Sequence, residues 1–241
     1  MKGKLYGVGI GPGDPELLTL KALRVIRESK VIALPGKEPR ETVAYKIVEG
    51  AYPEIAEKEL LAVDMPMTKD PAKLEASHEA GAAAIMAYLD KGMDVAFPTL
   101  GDPTVYSTYI YVHKRVQAAG YETEIVSGIT SFCAVAARLN TGLVEKAEPL
   151  HVIPASYQIE EALKLSGTKV LMKAGKKMAE VKKILLEQQI PASMIENCGM
   201  ENERIYRSPE EIPEEAVYYY LIIVKVKSLY ILLEAGPEPR I

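Results

Sequence analysis

The sequence predicts an α/β protein of two domains, each built around a sheet of roughly five strands. Three observations carry that prediction. Short apolar runs that close on glycine alternate with longer segments whose apolar residues recur at helical spacing. The alternation fills the first half of the chain and repeats, more loosely, in the second. Between the halves lies "NTGLVEKAEP", 140–149, which places the domains at 1–143 and 144–241.

In the first half, "KLYGVGIG" (4–11) is a strand running into a turn. "TLKALRVIRESK" (19–30) carries Leu20, Leu23 and Ile26 at helical spacing, with Asp14 or Thr19 as its cap. "VIALPG" (31–36) is the second strand, "ETVAYKIVEGA" (41–51) a helix and "KELLAVDMPM" (58–67) the third strand. Asp70 and Pro71 open a long helix that Gly92 ends. "DVAFPTL" (94–100) is the fourth strand, followed by a helix over 104–120. "ETEIVSG" (122–128) is the fifth, followed by a helix over 130–140. In the second half "LHVIPAS" (150–156), "TKVLMKA" (168–174), "SMIENCG" (193–199), "ERIYRS" (203–208) and "VYYYLIIVKV" (217–226) read as strands. Helices are expected over 158–166 and 177–189, and the tail "GPEPRI" is expected to be exposed.

Bulk properties exclude several classes. The 241 residues are 48% hydrophobic and 26% charged, an ordinary globular balance. A net charge of −4 argues against a nucleic-acid partner. Cys133 and Cys198, far apart, form neither a disulfide framework nor a zinc signature. His78, His113 and His151 have no metal-ligand spacing, so no metal is expected. With no signal peptide and no apolar run near the ~20 residues that span a bilayer, the expectation is a cytoplasmic protein with no membrane partner.

Three loops carry the chemistry. "GVGIGPGDPELLT" (7–19) fails the dinucleotide pattern: counting from Gly7 its last glycine position is Pro12, and from Gly9 it is Asp14. It has no Gly-Lys-Ser/Thr for a P-loop, and Asp14 would repel a phosphate. Its glycines let a ligand or another strand approach the backbone, or simply make a tight turn. "TLGDPTVYSTY" (99–109) ends the fourth strand; Asp102 either accepts hydrogen bonds from an amine or ribose or caps a turn. "VSGITSF" (126–132) ends the fifth; the Thr130 and Ser131 hydroxyls either hold a carboxylate or ribose or cap the next helix. Gly11, Gly101 and Gly128 would lie along one edge of a parallel sheet, which points to a small-molecule cleft. "PGKEPR" and "MKAGKK" are basic loops that could meet acidic groups or only solvent.

At these residues the chain resembles the tetrapyrrole methylases. "YGVGIGPGDPELLTLKA", "GDPTVYSTY" and "SGITSF" carry the likeness, in order and over nearly the whole chain. "VDMPMTKDPAKLEA" and "GDPTVYSTYIYV" look like the branch that methylates position 20 of precorrin-2 or cobalt-factor II in cobalamin biosynthesis. The resemblance implies a homodimer, and S-adenosylmethionine folded into a cleft between two α/β domains. Carried over by matching positions, Gly101, Asp102, Val105 and Tyr106 line the cofactor pocket, Thr130 and Ser131 follow the fifth strand, and Met172, Lys173 and Tyr220 come from the second domain. Lys173 stands where relatives often have an apolar residue. Pro12 and Asp14 belong to the floor beneath the macrocycle.

The cofactor is a sulfonium cation with no phosphate, which suits a lysine-free glycine loop. The tetrapyrrole carries carboxylates, for which Lys37 and Arg40 are the expected partners. Asp102 and Tyr106 are candidates for the proton acceptor. The alternatives are a methylase of another tetrapyrrole or of a macromolecule, a nucleotide-dependent oxidoreductase, and a binding module without catalysis.

Overall fold

A computed structural model describes residues 1–154, 159–173, 177–215 and 219–225. The predicted tail and Lys176 of the second basic loop lie outside these residues. Contacts divide the chain into two compact units, Met1–Ala134 and Val135–Ile241. The division falls inside a helix that leads directly into the 140–149 loop.

The first unit alternates strand and helix: β1 (Leu5–Gly9), α1 (Leu20–Glu28), β2 (Val31–Pro35), α2 (Val43–Ala51), β3 (Glu59–Val63), α3 (Pro71–Leu89), β4 (Val95–Thr99), α4 (Tyr109–Ala118), β5 (Thr123–Val126) and α5 (Ser131–Arg138). The five strands pair in the order β3-β2-β4-β1-β5, all parallel. The side-chain period of two sorts the faces. Ile32, Leu34 and Ala96 join α1 and α2 in one core. Val31, Ala33, Val95 and Phe97 join α3 and α4 in the other. Both faces are covered, which is why these strands read as continuous apolar runs.

Caps decide the helix starts. Thr19 caps α1 by accepting the Ala22 amide. Asp14 instead caps a short 3-10 turn, Pro15–Leu17, by accepting from Glu16. Asp70 caps α3 as expected, accepting from Ala72 and Lys73. The helix expected from Thr104 begins only at Tyr109. The Asp102 side chain takes both the amide and the hydroxyl of Thr104, and Tyr106 has φ 49°, so a turn replaces the first helical residues.

One proline shapes the sheet. β4 pairs with β1 along its full length but with β2 only at Val31↔Val95 and Ile32↔Ala96. Val95 and Thr99 direct their backbone bonds to β1, through Val95 N to Lys4 O and Ile10 N to Thr99 O, so Ala96 and Pro98 face β2. Pro98 has no N–H to give, and the ladder stops there.

The second unit contains β6 (Leu150–Pro154), α6 (Ile159–Lys164), β7 (Thr168–Met172), α7 (Met178–Glu187), β8 (Ala192–Glu196), β9 (Arg204–Tyr206) and β10 (Tyr220–Lys225). Its sheet has the order β6-β7-β10-β8-β9. It is mixed: β6 and β7 are parallel, whereas β10 runs antiparallel to β7 and β8, and β8 to β9. Met178, Val181, Ile184 and Leu185, the stripe visible in the sequence, pack on it through Leu171, Met194 and Ile222.

Candidate functional site

The loops leaving β1, β4 and β5 form a single assembly at the carboxyl ends of the first sheet. β1 and β4 are neighbours, yet α1 and α4 pack on opposite faces. This is the switch point at which open parallel sheets bind ligands. The two loops bridge there: the Gly101 amide donates to Gly11 O at 2.8 Å, and the Gly11 amide donates back to Gly101 O at 3.3 Å. Both glycines are left-handed, φ 75° and 68°, which L side chains resist.

The opening glycines serve backbone packing. A Cβ on Gly9 would lie 2.4 Å from Gly128 N, and one on Gly128 would lie 2.2 Å from Gly101 O. A Cβ on Gly7 would lie 2.0 Å from the Tyr109 ring. Of the two readings open in the sequence, close approach of another strand-end loop is the one realised for Gly9. Tyr109 is fully buried, and its hydroxyl lies 2.9 Å from His113 Nδ1.

Asp102 ties the assembly together. Its Oδ1 accepts the Thr104 amide at 2.8 Å and the Thr104 hydroxyl at 2.5 Å, and its Oδ2 accepts the Gly128 amide at 2.9 Å. Burial pushes the carboxyl up, but these bonds from Thr104 and Gly128 outweigh it and hold it below its ordinary value. A carboxylate so held is a weak base. As proton acceptor it is disfavoured; as the clasp between the loops that follow β4 and β5 it is well made. Thr104, which the sequence reading passed over, supplies half of the clasp, and Asp-Pro-Thr is the turn pattern that announces it.

Thr130 separates binding from capping. It stands before α5, and its carbonyl accepts from the Ala134 amide at 3.2 Å. Its hydroxyl is buried and has no hydrogen-bond partner. A capping hydroxyl would have one, so capping does not account for it. An orphaned hydroxyl beside Ser131 at a strand-end rim fits a polar ligand group such as a ribose or a carboxylate, as expected of the cofactor. Val105 is half-buried, with its amide on Asp102 O at 3.1 Å, and Tyr106 is 48% exposed in its left-handed backbone.

The nominated residues of the second unit also adjoin one another. Met172 ends β7 opposite Leu221 of β10, which sets Lys173 and Tyr220 at the same edge of that sheet. Lys173 is left-handed, φ 57°. Bulky residues in this region, such as Tyr106 and Lys173, are the kind of outlier that clusters at functional sites.

The remaining residues sit on the first unit. Pro12 is buried in the opening loop, and Asp14 is half-buried beside it. Lys37 follows β2; its side chain is 80% exposed, with Nζ 3.8 Å from Asp64 Oδ2. Arg40 is committed to the fold, one nitrogen donating to the Tyr45 hydroxyl at 3.1 Å and another to Ala56 O at 2.9 Å. Among the described residues no three His, Cys, Asp or Glu side chains are grouped to hold a metal. Nor is any helix there long and apolar enough to cross a membrane.

Fold and rim together define an α/β protein whose strand-end loops form a candidate small-molecule site. Residues 4–213 match the family model of the tetrapyrrole (corrin/porphyrin) methylases, and the chain belongs to that family. The chain is 36% identical to the "Probable cobalt-precorrin-2 C(20)-methyltransferase" of Methanocaldococcus jannaschii, over 84% of this chain and 86% of the relative. It is 32% identical to the cobalt-precorrin-2 C(20)-methyltransferase of Salmonella typhimurium, over 94% and 97%. The uroporphyrin-III C-methyltransferase of Thermus thermophilus, solved with S-adenosylhomocysteine, shares the fold at a TM-score of 0.69 and 24% identity, covering 92% of this chain and 97% of that one.

Proposed function

We propose that the protein transfers a methyl group from S-adenosylmethionine to the position-20 meso carbon of precorrin-2 or its cobalt-bearing form. The observation that carries this reading is the near full-length identity to relatives named for that reaction. The rim is consistent with it: glycine backbone, one committed carboxylate and an orphaned hydroxyl suit a phosphate-free ligand.

When bound, the cofactor supplies a methyl group already activated on a positive sulfur. The chain's own work is to hold and align. Gly101, Asp102, Val105, Tyr106, Thr130 and Ser131 would line the cofactor pocket of the first unit; Met172, Lys173 and Tyr220 are the second unit's candidate cofactor contacts. Pro12 and Asp14 lie under the macrocycle. Lys37 meets a carboxylate arm, and Arg40 shapes the loop beside it. Alignment of two reactants is worth up to about 7–11 kcal/mol of barrier. The family likeness extends the reading to a cytoplasmic homodimer without a nucleic-acid partner, with residues 140–149 linking its domains.

Calorimetry with S-adenosylmethionine, NAD and ATP is the first test: binding of the first alone is expected, and its failure sinks the reading. Incubation with precorrin-2 and cobalt-factor II in parallel, with the methyl position read by NMR, then identifies the substrate.

A further inference from the structure

The carboxyl rim of the first sheet is level. Gly9 lies opposite Thr99, Pro35 lies opposite Val63, and the register Val31↔Val95 puts both pairs at one height. The loops therefore leave in a row: β3, β2, β4, β1. At about 4.8 Å per strand, the β3 loop stands roughly 14 Å from the β1 loop. The bridged glycines mark one end of this row, and the other end has a different chemistry.

There Met67 is 80% exposed on a loop that is fastened on both sides. The Gly36 amide donates to Val63 O at 2.8 Å, and the Thr68 amide to Pro66 O at 3.0 Å. The Asp70 amide donates to the Thr68 hydroxyl at 3.1 Å, and the Ser77 hydroxyl bonds Asp64 O. The loop thus holds an apolar, polarizable thioether out from the rim. Lys37 Nζ is 3.8 Å from Asp64, too far for a hydrogen bond, and two largely exposed partners at that distance interact weakly. A soft apolar group on the same loop as Asp64, the weakly held partner of the exposed Lys37 ammonium, complements a flat conjugated ring that carries carboxylates.

We propose that Met67 and Lys37 form a lip that fixes the rotation of the tetrapyrrole within its own plane. This rests on the function proposed above. A tetrapyrrole has several bridging carbons, and turning the ring in plane brings a different one to the methyl donor. An anchor two strands (Lys37) to three strands (Met67) from the β1 loop resists that turn far better than one beside the reacting carbon, because the lever arm is longer. Lys37 and Met67 are then positioning residues that select position 20.

The test uses Lys37→Glu, Met67→Ala and the double variant. Both side chains are exposed, so the unfolding midpoint should stay at that of the parent. Fluorescence quenching of uroporphyrin I, a stable ring with carboxylates on every pyrrole, reads binding without turnover. Lys37→Glu should weaken it about tenfold or more, as loss of a charge-assisted bond does, and Met67→Ala about threefold. The dissociation constant for S-adenosylmethionine should not move. With precorrin-2, both variants should raise KM and yield product methylated away from position 20. Variants that bind uroporphyrin I as the parent does, or a parent that does not bind it, overturn the lip. A parent that binds it in a Lys37-dependent way but fails to methylate precorrin-2 overturns the proposed reaction and leaves the lip standing.

Discussion

Oδ2 of Asp102 accepts the backbone amide of Gly128 at 2.9 Å, joining two loops that lie 26 residues apart in the chain. Asp102→Ala removes this acceptor and the one serving Thr104, leaving the partly buried Gly128 and Thr104 donors without their partner. A loss of about 2 kcal/mol is expected in denaturant unfolding. Hydrogen exchange at the Gly128 amide should accelerate, and unchanged exchange would show that the carboxylate is not the clasp.

Thr130→Val should do the opposite to stability. It deletes a buried hydroxyl without a partner, so the folded protein should be as stable as the parent or slightly more so. Affinity for S-adenosylmethionine should fall by about fivefold to tenfold, the worth of one hydrogen bond. Calorimetry and thermal unfolding on the same sample separate the two effects. Loss of stability with intact affinity would return Thr130 to a structural role.

Gly7→Ala puts a Cβ 2.0 Å from the Tyr109 ring, and overpacking of this kind costs about 1–3 kcal/mol. Because the clash is with one side chain, Tyr109→Leu should recover part of it. A double-mutant cycle reads the coupling. Strict additivity would mean that the ring is not what excludes the Cβ. Gly128→Ala meets the Gly101 carbonyl instead, and no side-chain substitution should rescue it.

Burial holds the His113 imidazole below its ordinary value of 6.5, and burial with the Arg115 charge does the same to His78. The unfolded chain then binds protons that the folded one refuses. Stability should be constant above pH 6.5 and fall as pH drops below it. His113→Gln should flatten that slope in unfolding curves between pH 7 and 5. Glu124 acts in a separate window. Hydrogen bonds from Lys21 and Lys4 hold it down at about 2, against its ordinary 4.5, so its contribution is lost only as pH falls from 4.5 toward 2.

The strands and helices of the first unit were legible because each is a local pattern: an apolar run, a helical stripe, a cap such as Thr19 or Asp70. The start of α4 was not, because periodicity does not register the Asp102–Thr104 bonds that displace the helix to Tyr109. Strand direction in the second unit was equally hidden. Nothing in the composition of Tyr220–Lys225 says that it inserts antiparallel between β7 and β8. At the site, the sequence aligned Gly11, Gly101 and Gly128 along one edge, since that follows from parallel strands. It could not tell which glycines touch one another, or that Arg40 is occupied by Tyr45 and Ala56, because those are contacts between distant segments.

Pro98 gives the sheet an uneven seam. Below Ile32 and Ala96 the central strands are stitched by backbone bonds; above them β2 and β4 lie side by side unstitched. The β2–β4 ladder thus ends three residues short of the β1–β4 ladder, and side-chain packing on the two faces, rather than backbone bonds, holds β2 against β4 near the rim. The firmness of this end of the sheet is therefore set by a single imino acid in β4.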